Sequence, residues 1–228
     1  MNTKPQHTTS QDIWLDGHLG RLFVRTWAPI EPSHLAPIVL LHDSLGSVEL
    51  WRGFPAALCK ATGRRVVAYD RLGFGQSDAH PGALALDFIA SEAEGDFAAV
   101  LRQLGIARFV VFGHSVGGGM AVNCAARHGA ACGALITEFT QAFVEDPTVP
   151  GLEDARELFK DLGQVERLKR YHGDKARWVL DAWIESWLAP AFATWSLRAV
   201  LPQVKSPALV IHGVDDECGS PAHPQLIA

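Results

Sequence analysis

Gly113-His114-Ser115-Val116-Gly117 joins an apolar, β-branched run, Phe109-Val110-Val111-Phe112, to a stretch with helical spacing from Met120 to Arg127. A chain that reads strand, G-x-S-x-G, helix has few ways to fold at that point. The turn is so tight that strand and helix nearly touch, and small residues must flank the serine. The serine hydroxyl is lifted clear of the sheet and set at a helix N-terminus, where developing negative charge is favoured. This is the layout of a nucleophile elbow, and it makes Ser115 the candidate nucleophile. An unassisted serine hydroxyl is a poor nucleophile at neutral pH, so a histidine must take its proton and an acid must orient that histidine. His114 is not expected to be that histidine, because it points away from the hydroxyl side of the turn.

Strand-like and helix-like segments alternate around the elbow. Residues 19–27 alternate apolar and polar side chains, as an early antiparallel strand does. Pro37 to Leu41 is a continuous apolar run, the mark of a strand buried on both faces of a parallel sheet. A helix is expected near Leu50 to Thr62, a strand at Arg65 to Tyr69 and a helix over Leu84 to Leu104, ending at a Gly105 cap. A further strand, Ala134 to Glu138, precedes a change of rhythm. Residues 140–196 are richer in charge and tryptophan, and Leu180, Trp183 and Trp187 fall at helical spacing. Pro207 to His212 then returns to a buried-strand pattern. The pattern predicts an α/β fold with its core in 1–139 and 197–228. A small helical cap at 140–196 is expected over the carboxyl ends of the strands.

Length and charge narrow the partners. A chain of 228 residues supports one large core. A net charge of −5 argues against nucleic acid or an anionic membrane as partner. Cys59, Cys124, Cys132 and Cys218 are widely spaced without a CxxC pair, so buried free thiols are expected. The polar start, Met1 to His7, lacks the apolar core of a signal peptide, and no run is long enough to cross a bilayer, which points to a cytoplasmic protein.

Four segments together resemble the α/β-hydrolase superfamily over nearly the whole chain: Leu41-His42-Asp43-Ser44-Leu45-Gly46, Tyr69-Asp70-Arg71-Leu72-Gly73-Phe74-Gly75-Gln76-Ser77-Asp78, the elbow, and Ile211-His212-Gly213-Val214-Asp215-Asp216. They occur in the family's order, each at the end of an expected strand. The resemblance implies a mostly parallel open sheet with helices on both faces, a Ser/His/acid mechanism with a covalent intermediate and no metal or organic cofactor. It also implies an oxyanion hole built from the backbone amides of Val116 and Ser44. Asp43 stands where the family usually has glycine, and a carboxylate beside an anion hole is unfavourable unless it turns away or is paired. His42 reads as a residue that organises its loop, and Arg71 as part of a structural turn rather than an anion binder.

The resemblance implies Asp216 as the acid, three residues beyond Gly213, with neighbouring Asp215 and Glu217 leaving the choice open. Glu138 is the alternative acid, or a residue lining the substrate pocket. The triad order serine, acid, histidine places the histidine after one more helix and strand. Twelve residues follow Asp216, so the resemblance implies a histidine beyond Ala228 and a chain short of the family's last elements. His223 lies seven residues past Asp216, at the wrong topological place. A chain lacking those elements exposes an unpaired strand edge and an apolar patch beside 207–212.

A serine at the elbow disfavours relatives that use aspartate there. A small or medium carboxylic ester or thioester is the expected small-molecule substrate. Carbon–carbon bond hydrolysis and perhydrolysis remain alternatives, as does a non-catalytic binding protein of the same fold. Trp178, Trp183, Trp187 and Trp195 either line an apolar acyl pocket or pin the cap to the core. A nucleotide-binding reading of the glycines at 113, 117, 118 and 119 lacks the phosphate-loop lysine and the G-x-G-x-x-G spacing. Oligomeric state and acyl group are not legible in the sequence.

Overall fold

A computed structural model of the chain describes residues 8–145, 148–214, 216 and 219–228, without the side chains of residues 148, 149 and 162. Seven strands form one sheet in the order β1-β2-β4-β3-β5-β6-β7. They are β1 (Thr8–Asp16), β2 (Arg21–Pro29), β3 (Ile38–Leu41), β4 (Val66–Tyr69), β5 (Phe109–His114), β6 (Cys132–Glu138) and β7 (Ala208–Ile211). The β1–β2 and β2–β4 pairs are antiparallel and the rest parallel. Parallel pairing requires crossovers, and helices fill them: α1 (Phe54–Thr62), α2 (Phe88–Ser91), α3 (Asp96–Gln103), α4 (Val116–His128), α5 (Thr148–Leu158), α6 (Leu162–His172) and α7 (Ala176–Leu188); α8 (Ala222–Ile227) follows β7.

Burial is continuous along the central strands, because both faces of the sheet are covered. Phe109 and Val111 of β5 point into a large core shared with α2, α3 and α4. Val110 and Phe112 point the other way, into a smaller core with Phe23, Leu40 and Cys59 on the α1 side. Leu41 pairs with Gly113, Gly113 with Thr137, and Glu138 with Ile211. That register brings the carboxyl ends of β3, β5, β6 and β7 to one edge of the molecule, and the segments that follow them meet there.

The structure corrects the expected elements at four places. Strand β1 was not anticipated: it is largely exposed and polar, and main-chain pairing to β2 defines it, with Asp12 opposite Arg25 and a 2.5 Å ion pair between them. The early strand runs over 21–29 rather than 19–27, because a turn closes from Gly17 N–H to the Gly20 carbonyl. The helix expected over 84–104 is two helices, α2 and α3. Gly95, at φ −86° and ψ −115°, leaves helical geometry, and the Glu92 carboxylate turns inward to take the Tyr69 hydroxyl. Strand β7 reads as buried but is not: Leu209 is 54% and Ile211 39% exposed, and among the described residues its only pairing is with β6. The apolar patch and open edge expected beside 207–212 are therefore present.

Cys59, Cys124 and Cys132 are buried free thiols; Cys218 lies outside the described residues. Among the described residues no helix is long and apolar enough to cross a membrane.

Candidate active site

The elbow forms as its residues require. Ser115 sits between β5 and α4 at φ 54°, ψ −124°, a left-sided backbone that a non-glycine residue adopts at a cost. Its N–H donates to the Glu138 carbonyl at 2.8 Å and its carbonyl accepts from Gly118 N–H at 2.9 Å, so both neighbouring strand and helix hold the strain in place. A side chain at Gly113 would put its Cβ 2.1 Å from the Gly117 carbonyl oxygen, and one at Gly117 would lie 2.2 Å from that of Leu41. The close approach that the sequence pattern demands is real.

Ser115 opens onto a cleft of about 580 Å³. Ser44, Trp183, Trp187 and Asp216, all singled out from sequence, share its lining with Ser115. Gln141, Glu145 and Leu152 join them and were missed. Gln141 Oε1 accepts from the Ser115 hydroxyl at 3.5 Å. A usable signal existed, since Gln141 and Glu145 follow the end of β6 by three and seven residues, at the edge where the carboxyl ends of the strands gather.

Three contacts fix the loop after β3. The Asp43 carbonyl accepts from His42 Nδ1–H at 2.8 Å, from Arg71 Nη2 at 3.0 Å and from Gly46 N–H at 3.3 Å. The Asp43 carboxylate, which stands in place of glycine, accepts the Leu45 N–H at 2.8 Å, and Asp43 lines the cleft. What remains is the Ser44 N–H, which donates to no protein acceptor among the described residues. Val116 occupies the first turn of α4, where backbone N–H groups have no intrahelical acceptor. His42 and Arg71 are both buried and do not line the cleft. His42 Nε2 accepts the Arg71 N–H at 3.3 Å, so the ring is neutral with its proton on Nδ1. Burial first, and the Arg71 charge second, hold its pKa well below the ordinary histidine value. Behind them, burial lifts the Asp70 carboxyl to about 6, although it accepts the amides of Gln76 and Val48.

The remaining carboxylates and histidines sort into pairs. Asp216 Oδ2 lies 3.3 Å from His212 Nε2. Asp215 and Glu217, the neighbouring acid choices, lie outside the described residues. Glu138 takes a 3.0 Å contact from His114 Nδ1 and lines a separate 230 Å³ hollow beside the cleft, so it is not on the wall that Ser115 faces. His114 borders both spaces. His223 is fully buried: Nδ1 accepts the Ala142 N–H at 3.2 Å and Nε2–H donates to Glu145 at 2.7 Å. Among the described residues no histidine is hydrogen-bonded to the Ser115 hydroxyl, and no cluster of three or more His, Cys, Asp or Glu side chains could hold a metal ion.

The tryptophans divide between the two expected roles. Trp183 and Trp187 line the cleft. Trp178 stacks on His80 at 5.1 Å and donates to the Gly82 carbonyl at 2.8 Å, fastening α7 to the 73–82 segment. Trp195 stacks on Phe192 at 5.4 Å behind Trp187.

Comparison with known proteins agrees with the fold. The family model described as alpha/beta hydrolase fold matches residues 36–180. The chain is 29% identical over 209 residues to the AB hydrolase superfamily protein YisY of Bacillus subtilis, covering 80% of this chain and 75% of that one. It is 28% identical over 228 residues to the bifunctional esterase/perhydrolase DCH of Acinetobacter calcoaceticus, covering 86% and 79%. The crystal structure of the enol-lactonase from Burkholderia xenovorans LB400 superposes with a TM-score of 0.73 at 24% identity, over 95% of this chain and 86% of that one, a likeness of fold.

Proposed function

We propose that this chain, which belongs to the alpha/beta hydrolase fold family, is a serine hydrolase of small or medium carboxylic esters or thioesters. In this reading Ser115 Oγ attacks the ester carbonyl, and the amides of Ser44 and Val116 receive the oxyanion. The alcohol or thiol leaves with a proton, and water then hydrolyses the acyl-enzyme and restores Ser115. Asp216 is the acid that orients the catalytic imidazole. Residues 140–196 act as the cap, with Trp183 and Trp187 forming the apolar wall for the acyl chain.

One observation carries the reading. The strained Ser115 backbone and the unengaged Ser44 N–H border the same cleft. A strained serine alone is a turn, and an unengaged amide alone is a loop; together they supply a nucleophile and an oxyanion-stabilising donor. The relative named as an esterase/perhydrolase gives independent support for ester chemistry.

The test is p-nitrophenyl butyrate turnover by the 228-residue chain and by Ser115→Ala, each with and without added imidazole. No described imidazole touches the Ser115 hydroxyl, so added imidazole is expected to raise turnover in the unsubstituted chain and leave Ser115→Ala at background. Equal turnover in both proteins would refute the reading.

A further inference from the structure

The residue after Ser44 is gripped twice by the helical segment between β6 and β7. The Leu45 side chain packs against Leu168, Ala176, Leu180 and Ile184 of α6 and α7. The Leu45 carbonyl accepts from Nε2–H of His172, the last residue of α6, at 3.0 Å. The other ring nitrogen, Nδ1, accepts the Gly75 N–H at 2.9 Å, while Lys175 Nζ donates to the Gly75 carbonyl at 2.9 Å. One imidazole thus spans a loop 127 residues upstream and a turn 97 residues upstream.

Those two bonds define the ring's state. A carbonyl acceptor on Nε2 requires a proton there, and an amide donor on Nδ1 requires a lone pair there, so His172 is neutral with its proton on Nε2. Its ring is 1% exposed and meets Phe74 edge-on. Burial lowers its proton affinity, and the charges of Lys175 and Arg71 act in the same sense; the Leu45 carbonyl and Asp43 oppose them, and neutral His42 is the other titratable neighbour. A second proton would set Nδ1–H against Gly75 N–H, donor to donor, and that tie would be lost.

Ser44 therefore lies between two fixed carbonyls. Asp43 is fixed from the core by His42 and Arg71, and Leu45 from the cap by His172. We propose that His172 is a positioning residue that ties the cap to the oxyanion loop and keeps the Ser44 N–H aimed into the cleft. The inference rests on the reading of Ser44 as an oxyanion donor. Movement of the cap end of α6 would then be felt directly at the atom that stabilises the transition state.

The test compares the unsubstituted chain with His172→Phe, which keeps a ring and removes both bonds, and His172→Gln, whose amide offers an acceptor and a donor on neighbouring positions. Should His172→Phe not fold, His172→Asn, whose shorter amide cannot span both partners, takes its place. The first readout needs no activity: amide shifts and hydrogen exchange at Ser44 and Gly75. His172→Phe is expected to shift both amides and speed Gly75 exchange roughly tenfold or more, with His172→Gln close to the unsubstituted chain.

The second readout is phosphonylation of Ser115 by an uncharged fluorophosphonate, resolved into a saturating rate and a half-saturating concentration. His172→Phe is expected to lower the saturating rate roughly 10- to 100-fold, less than the roughly 100- to 1,000-fold cost of removing an oxyanion donor outright. The half-saturating concentration should stay within about twofold, and His172→Gln should recover most of the rate. The unsubstituted chain should also show an acid-side fall in rate that His172→Gln lacks, a signature that packing alone does not produce. Unchanged Ser44 and Gly75 amides in a folded His172→Phe or His172→Asn protein overturn the inference whether or not Ser115 reacts, and so does an unchanged saturating rate. If the unsubstituted chain takes no phosphonate at Ser115, the ester-hydrolase reading and the catalytic role of His172 fall together, and the amide data alone decide whether the tie exists.

Discussion

Arg71 Nη2 donates to the Asp43 carbonyl at 3.0 Å and, with His42 Nδ1–H at 2.8 Å and Gly46 N–H at 3.3 Å, fixes the direction of the next amide. The peptide bond is trans, so its carbonyl and N–H point to opposite sides, and holding the Asp43 oxygen toward Arg71 turns the N–H of Ser44, a cleft-lining residue, away from Arg71. The guanidinium is itself held, 4.1 Å above the Phe74 ring and buried.

Arg71→Met keeps the apolar stem over Phe74 and removes the donor. It is expected to lower Ser115-dependent ester turnover at saturating substrate by roughly 10- to 100-fold, with KM changed much less. Arg71→Lys should fall between, because an ammonium lacks the planar fork that reaches Asp43. Steady-state kinetics on folded variants, checked by circular dichroism, measure both.

Glu92 gives the chain a pH-dependent stability. Burial and the neighbouring Asp96 push its carboxyl from 4.5 to about 7, while the Tyr69 hydroxyl and Arg71 pull the other way. The folded value is raised, so the stabilisation is fully present below 4.5 and is lost as pH rises through about 7. Above that, an ionised buried carboxylate costs up to about 3 kcal/mol, at about 1.4 kcal/mol per pKa unit. Glu92→Gln should therefore raise Tm at pH 8 and leave it nearly unchanged at pH 4.5, by thermal unfolding across that range. His42 and His172 act in the opposite sense: their lowered values give stability that is present above 6.5 and fades as pH falls below it.

The cleft wall carries Asp43, Glu145 and Asp216, and among its described lining residues there is no lysine or arginine. A substrate carboxylate about 6 Å from one of these charges meets about 3 kcal/mol of repulsion at an effective dielectric near 20. Esters with an anionic acyl chain are thus expected to show kcat/KM at least tenfold below neutral esters of equal length. Monomethyl succinate against methyl butyrate is the direct comparison, and added salt should narrow the gap.

How much of this was legible in the sequence depended on distance along the chain. The elbow was, because Gly113, Ser115 and Gly117 meet through five consecutive residues and their sterics are local. The order of the segments after β3, β4, β5 and β7 was also legible, since each follows its own apolar strand. Strand β1 was not: its side chains are mostly polar and exposed, and its definition comes from hydrogen bonds to β2. The break between α2 and α3 was hidden because Glu92 turns inward to Tyr69, 23 residues away. The tryptophans shared one composition signal, yet Trp178 meets His80 and Gly82 while Trp183 and Trp187 face the cleft, a division made by tertiary packing. Glu138 follows its strand correctly, but its pairing with His114 carries it to the neighbouring hollow. His172 had no local signature, since both its partners are about a hundred residues upstream.

The central claim is that Ser115 is the nucleophile. Intact-mass measurement after exposure to an uncharged fluorophosphonate, with peptide mapping, tests it most directly. The account predicts one adduct, on Ser115, absent from Ser115→Ala and from heat-unfolded protein. An adduct that persists in Ser115→Ala, or none on Ser115 under conditions that label an esterase control, would contradict it.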